Sequence, residues 1–163
     1  MSTEATKTTE PIDLNSTTDA DASQSPNQSV IFLLGAESYG IDIFRVNEII
    51  RMREITSLPR VENHIRGLVN LRGKTIPVIA LGTRLGLSEV PDTESTRIIV
   101  VDSEHGNVGI VVDAVREVVT LDPACIDATP SIVQELSAEF VRGVAKHETG
   151  LITLLELDKA IAA

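Results

Sequence analysis

From residue 30 onward the chain is a series of short aliphatic runs separated by clusters of Gly, Asn, Asp and charged residues. Val30-Ile-Phe-Leu33, Ile76-Pro-Val-Ile-Ala-Leu81 and Ile98-Ile-Val-Val101 are typical: a few residues long, rich in β-branched side chains, bounded by turn formers. That pattern predicts short strands. The run Arg97-Ile-Ile-Val-Val-Asp102 lacks polar alternation, so apolar material should cover both of its faces. Helix-like pieces lie at Ala80 to Leu87 and Leu157 to Ala162, and the stretch Ile43, Val46, Ile49 reads as helix or strand.

The runs recur. Gly40-Ile-Asp-Ile-Phe-Arg-Val-Asn-Glu-Ile-Ile50 matches Gly109-Ile-Val-Val-Asp-Ala-Val-Arg-Glu-Val-Val119. Upstream, Val30-Ile-Phe-Leu33 matches Ile98-Ile-Val-Val101; downstream, Arg66-Gly-Leu-Val69 matches Arg142-Gly-Val-Ala145, and Ile76 to Leu81 matches Ile152 to Leu157. The blocks keep one order while the offset grows, as loop insertions produce. Each copy reads as a hairpin, a third strand (Val46 to Arg53; Val115 to Leu121), two strands around a second tip (Gly73-Lys74; Glu148-Thr-Gly150) and a closing helical piece. Ser88 to Thr96, with Pro91, joins the copies. Four or five short strands per copy predict two small β-barrels packed across a shared aliphatic core. The fold expected is mostly β, with short helices.

Composition sharpens this. Of the 163 residues 42% are apolar but only 2% aromatic, so the core must be built from Val, Ile and Leu. Residues 1 to 28 differ: Ser and Thr dominate, Glu4, Glu10, Asp13, Asp19 and Asp21 face only Lys7, and aromatics are missing. Such a segment buries too little apolar surface to offset its ordering entropy, and a disordered acidic leader is expected before an ordered domain at 29 to 163. A net charge of −10 repels phosphate backbones and anionic lipid, which weighs against a nucleic-acid-binding barrel and against membrane insertion. A lone Cys125, the lack of a signal-peptide pattern and apolar runs too short to span a bilayer fit a cytoplasmic protein.

Chemistry has no visible home. His64, His105 and His147 lie far apart, without partners at metal-ligand spacing. His105 and His147 fall in turns and read as solvated. Cys125 has no cation beside it in sequence to activate a thiolate and reads as a partly buried, inert thiol. Neither a phosphate loop nor a nucleophile elbow is present. Glu48 and Glu117, an acid pair at equivalent positions of the repeats, read as structural. No enzyme, cofactor or metal site is expected. Two features remain. Asn70, Arg72 and Lys74 cluster at one hairpin tip, with no cationic counterpart in the second copy. They form either an ordinary exposed turn or a seat for a carboxylate, on a partner or on Glu48. Ile43, Val46 and Ile49, with Val115 as the repeat mate of Val46, are either plain core or an apolar groove able to take an amphipathic helix.

The strings Tyr39-Gly-Ile-Asp-Ile, Val46-Asn-Glu-Ile-Ile50, Ile65-Arg-Gly-Leu-Val-Asn-Leu-Arg-Gly73 with Ile76-Pro-Val78, and Gly109-Ile-Val-Val-Asp113 together resemble the CheW family, over about residues 29 to 161. The resemblance implies two five-stranded SH3-like barrels. It also implies a non-catalytic adaptor binding the cytoplasmic tip of methyl-accepting chemoreceptors and the regulatory domain of the histidine kinase CheA, at a membrane-associated array. Carried over by position, it implies that Ile43, Val46, Ile49 and Val115 line a receptor groove and that Glu48 and Arg72 form a charged pair supporting it. Ala80-Leu81-Gly82 stands where family members often have Asp followed by Leu-Arg, so contacts to the kinase are not carried over. An adaptor of a non-motility pathway, controlling pili or a second messenger, would show the same residues.

Overall fold

The computed structural model describes residues 27–88, 91–127, 140–148 and 150–161. The expected leader lies outside these except for Asn27 and Gln28, which already belong to the first strand. Eleven strands are described: β1 (Asn27–Leu34), β2 (Glu37–Asp42), β3 (Val46–Arg51), β4 (Ile65–Leu71), β5 (Lys74–Ala80), β6 (Arg97–Ser103), β7 (Gly106–Val112), β8 (Ala114–Leu121), β9 (Ile126–Asp127), β10 (Val141–His147) and β11 (Gly150–Leu155). Two short helices, α1 (Leu81–Arg84) and α2 (Leu157–Ile161), follow β5 and β11 at the repeat-equivalent places.

The strands form two sheets, ordered β8-β1-β2-β11-β10-β9 and β3-β6-β7-β5-β4. Under the repeat, β1 to β5 correspond to β6, β7, β8, β10 and β11, so the two orders are the same order. Neither sheet comes from one copy alone. The β1–β2 hairpin of the first copy sits in the sheet of β8, β10 and β11, and the β6–β7 hairpin of the second copy completes the sheet of β3, β4 and β5. The joins are parallel pairs, β2 with β11 and β5 with β7, plus the antiparallel pairs β1–β8 and β3–β6. Two barrels packed together are present, but the hairpins are exchanged between them. Periodicity could not reveal this, because it fixes which face of a strand is buried and not which copy supplies its neighbour.

Both sheets close in the same manner. Beyond β3 the chain reaches Thr56, whose N–H and C=O exchange 2.8 Å hydrogen bonds with Leu68 of β4. Beyond β8 a 3₁₀ turn at Pro123–Cys125 carries the chain to β9, which pairs with β10. At each closure the repeated Arg-Gly forms a bulge that skips the arginine and sets the glycine against the facing backbone: an added Cβ at Gly67 would lie 2.0 Å from the Thr56 carbonyl oxygen, and at Gly143 2.8 Å from that of Asp127. The repeat's glycines are therefore places where two backbones meet at a barrel seam.

Side chains divide into three interiors. One barrel encloses Val69, Leu71, Ile76, Val78, Ile98 and Val100; the other encloses Ile31, Val119, Leu121, Ala145, Ile152 and Leu154. Between them lies the largest cluster, with Val30, Phe32, Ile41, Ile99, Val101, Ile110 and Leu155 at its centre. Successive residues of β6 alternate between a barrel interior (Ile98, Val100) and the central core (Ile99, Val101), so all four are fully buried. That explains the missing alternation in Arg97 to Asp102.

Candidate functional site

β3 and β8 are edge strands and repeat mates, and each carries apolar side chains on the face turned toward the central core. On β3, Val46 lies opposite Val101 and Ile49 opposite Ile99; on β8, Val115 lies opposite Phe32 and Val118 opposite Val30. All four partners belong to the central core. The burial differs along each strand. Ile43, in the 3₁₀ turn ahead of β3, is 4% exposed and Val46 6%, both within the core. Val115 packs against that core from its edge, whereas Ile49 and Val118 are 37% and 38% exposed. Ile43 and Val46 are thus part of the central core, Val115 borders it, and Ile49 and Val118 are exposed apolar positions on the two edge strands. Val118, the repeat mate of Ile49, was not singled out from sequence, although offsetting Ile49 by the repeat would have found it.

Glu48 and Arg72 are brought together, on the face of β3 opposite to Ile49. Glu48 lies opposite Val100 of the barrel interior, so it leaves β3 on the face away from Ile49. A two-residue turn, Arg72-Gly73, joins β4 to β5 with positive φ at both positions (54° and 85°), the geometry that suits the twist of a hairpin. Asn70 helps set it, its side-chain oxygen accepting from the Gly73 N–H at 3.0 Å. The turn projects Arg72 across the seam between the sheet's two edge strands, where its Nη1 and Nη2 donate to Glu48 Oε2 and Oε1 at 2.5 and 2.7 Å. This two-pronged bond from Arg72, helped by the charge of Arg53, holds the Glu48 carboxyl below its ordinary pKa against an opposing effect of partial burial. In the second copy the equivalent residues are Glu117 and Glu148, which cannot pair.

Other charged contacts also tie the copies together. Arg45 donates to the Asp102 carbonyl at 2.7 Å and pairs with Asp158 of α2 at 2.6 Å. The Asn47 side-chain amide bridges Asp102 and Asn107 across three strands, at 2.9 and 2.8 Å. Of the remaining sequence candidates, His105 is exposed in its turn; Asp113, just after β7, accepts from the Gly35 N–H at 2.6 Å. Cys125 is exposed in the 3₁₀ turn, not partly buried as expected: Asp122 caps that turn and holds it at the surface. His64 is buried, which its sequence context did not suggest. Among the described residues no group of His, Cys, Asp and Glu could hold a metal, and no helix is long and apolar enough to cross a membrane.

Comparison with known proteins agrees with this architecture. Residues 28–163 match the model of the CheW-like domain. The chemotaxis protein CheW of Klebsiella aerogenes is 33% identical over 134 residues, covering 82% of this chain and 81% of that protein. The crystal structure of the scaffolding protein TtCheW from Thermoanaerobacter tengcongensis superposes with a TM-score of 0.79 at 37% identity, covering 85% of this chain and 94% of that one. Protein PilI of Pseudomonas aeruginosa is 29% identical over 84 residues, covering 52% of this chain and 47% of its own length. The chain belongs to the CheW family, the non-enzymatic scaffold and adaptor proteins of chemotaxis.

Proposed function

We propose that this protein couples the cytoplasmic tip of a chemoreceptor to the regulatory domain of the kinase CheA, so that the receptor's state biases kinase activity. The observation that carries the reading is the apolar surface between β3 and β8. Ile49 and Val118 are exposed and Val115 is half-buried on strands that pair with the central core, which also holds Ile43 and Val46. An amphipathic helix from a receptor hairpin would lay its apolar stripe there. Glu48 and Arg72 act from the other face of β3, fixing that edge strand against the β4–β5 hairpin so that the groove keeps its shape.

The kinase's regulatory domain is the second partner, engaged away from the groove, so that one adaptor holds both proteins at once. Individually modest contacts gain from being repeated in an array. Mixing the purified chain with a receptor-tip fragment and CheA tests the reading: a ternary complex with kinase activity dependent on the receptor supports it, and failure to bind either protein contradicts it. The likeness to PilI favours a second reading, coupling in a pathway that does not serve swimming; exchanging the receptor and kinase in the same assay distinguishes the two. The acid excess offers no support for a nucleic-acid partner.

A further inference from the structure

Position 64 breaks the internal symmetry of the core. Its repeat mate is Phe140, and the backbones of the two are used alike: the His64 carbonyl accepts from the Ala80 N–H at 2.6 Å and the Phe140 carbonyl from the Glu156 N–H at 2.7 Å. Phe140 fills its place in the central core with carbon. His64 is only 7% exposed, and its Nε2 is buried with no hydrogen-bond partner. An unpaired polar atom in a core is costly, and an unpaired charge there far more so.

Arg84 of α1 connects the two sites. Its guanidinium lies 5.0 Å over the Phe140 ring and donates to the carbonyls of Ala160 and Lys159 at the end of α2, at 3.1 and 3.4 Å. It thereby fastens the helix of one copy to the helix of the other, while bearing electrostatically on His64. Among the described residues, Arg84 from α1 and Glu62 from the segment entering β4 bear electrostatically on His64, and Glu104 and His105 from the β6–β7 turn and Asp158 from α2 line a cavity with it. Asp158 is engaged with Arg45, and the Glu104 and His105 side chains are largely exposed.

We propose that His64 is an acid-operated release for the contact between the two copies: a proton on its imidazole displaces the Arg84 guanidinium from Phe140 and from the end of α2. Burial, and then Arg84, hold the imidazole below its ordinary pKa, against a smaller opposing effect of Glu62. The opened form, with an ordinary histidine near 6.5, therefore binds the proton more readily than the closed one. The fastening is intact above that pH and weakens as the pH falls from there toward the lowered value of the folded state.

NMR titration of the full chain, together with hydrogen exchange of the Lys159 and Ala160 amides between pH 7.5 and 5, tests this. His64 should titrate below the ordinary histidine value of about 6.5. After correction for intrinsic exchange, the opening of α2 should increase by up to about tenfold per pH unit below ~6.5, and His64→Phe and His64→Gln should abolish that increase. A His64 titrating at or above ~6.5, or an increase that persists in His64→Gln, overturns the proposal; the wild-type titration decides even if His64→Phe does not fold.

Discussion

Arg72 reaches Glu48 from a hairpin on the far side of the barrel seam, and its two nitrogens engage both oxygens of one carboxylate. The pair joins the two edge strands of one sheet, β3 and β4, a place where the other sheet presents Glu117 and Glu148. Arg72 is largely exposed, so the bond costs little to lose in stability but fixes geometry. Arg72→Glu should therefore leave the melting temperature nearly unchanged and weaken receptor-dependent kinase activation severalfold. The exchange Glu48→Arg with Arg72→Glu should recover part of that loss. Normal coupling by Arg72→Glu, measured in the reconstituted kinase assay, would remove the pair from the mechanism.

The same bond predicts a pH response. Because the folded-state pKa of Glu48 is lowered, the stability it contributes is present above the unfolded carboxylate value, near 4.3, and is lost as the pH falls through the lowered folded value. Carbon-detected NMR should find Glu48 titrating below the ordinary carboxylate value of about 4.3, and Arg72→Ala should return it toward that value.

The seam glycines should differ in their tolerance of a methyl group. Gly67→Ala places Cβ 2.0 Å from a backbone oxygen at a φ of 142°, and neither can yield without opening the barrel. A destabilisation above about 3 kcal/mol, or failure to fold, is expected. Gly143→Ala, at 2.8 Å, should cost less, and Gly73→Ala, strained only by its φ of 85°, about 1 kcal/mol. Denaturant unfolding gives the order; Gly67→Ala as mild as Gly73→Ala would mean the closure at Thr56 is not held in solution.

Hairpin exchange makes the copies interdependent. A fragment of residues 1–90 lacks β6 and β7 from the middle of its sheet, and a fragment of residues 91–163 lacks β1 and β2. Each should be unfolded alone by circular dichroism and should regain β structure when the two are mixed. Independent folding of either half would contradict the exchanged topology.

Much of this architecture was legible beforehand, for identifiable reasons. Short β-branched runs, the doubled Arg-Gly and the unalternating Arg97 to Asp102 determine the local element and its burial, and these agree with the structure. The exchange was not legible, since Val30 finds an equally apolar neighbour in either copy. At the site, the cationic tip of Asn70, Arg72 and Lys74 stood out because the second copy has none, but the residues left its role open and the pairing of Arg72 with Glu48 came only from the family resemblance. Val118 was not singled out, although the repeat offset that pairs Val46 with Val115 also pairs Ile49 with it. The buried state of His64 was illegible too: only comparison with Phe140 reveals that a polar ring occupies a core position.

The central claim is that the surface between β3 and β8 docks the receptor. The most direct measurement is receptor-tip binding to the full chain carrying Ile49→Lys or Val118→Lys, followed by calorimetry alongside binding to CheA. These partly exposed positions should accept the charge without unfolding, so receptor affinity should fall at least tenfold while CheA affinity stays within about twofold; a tenfold change is about 1.4 kcal/mol. Unchanged receptor affinity in both folded variants would contradict the account.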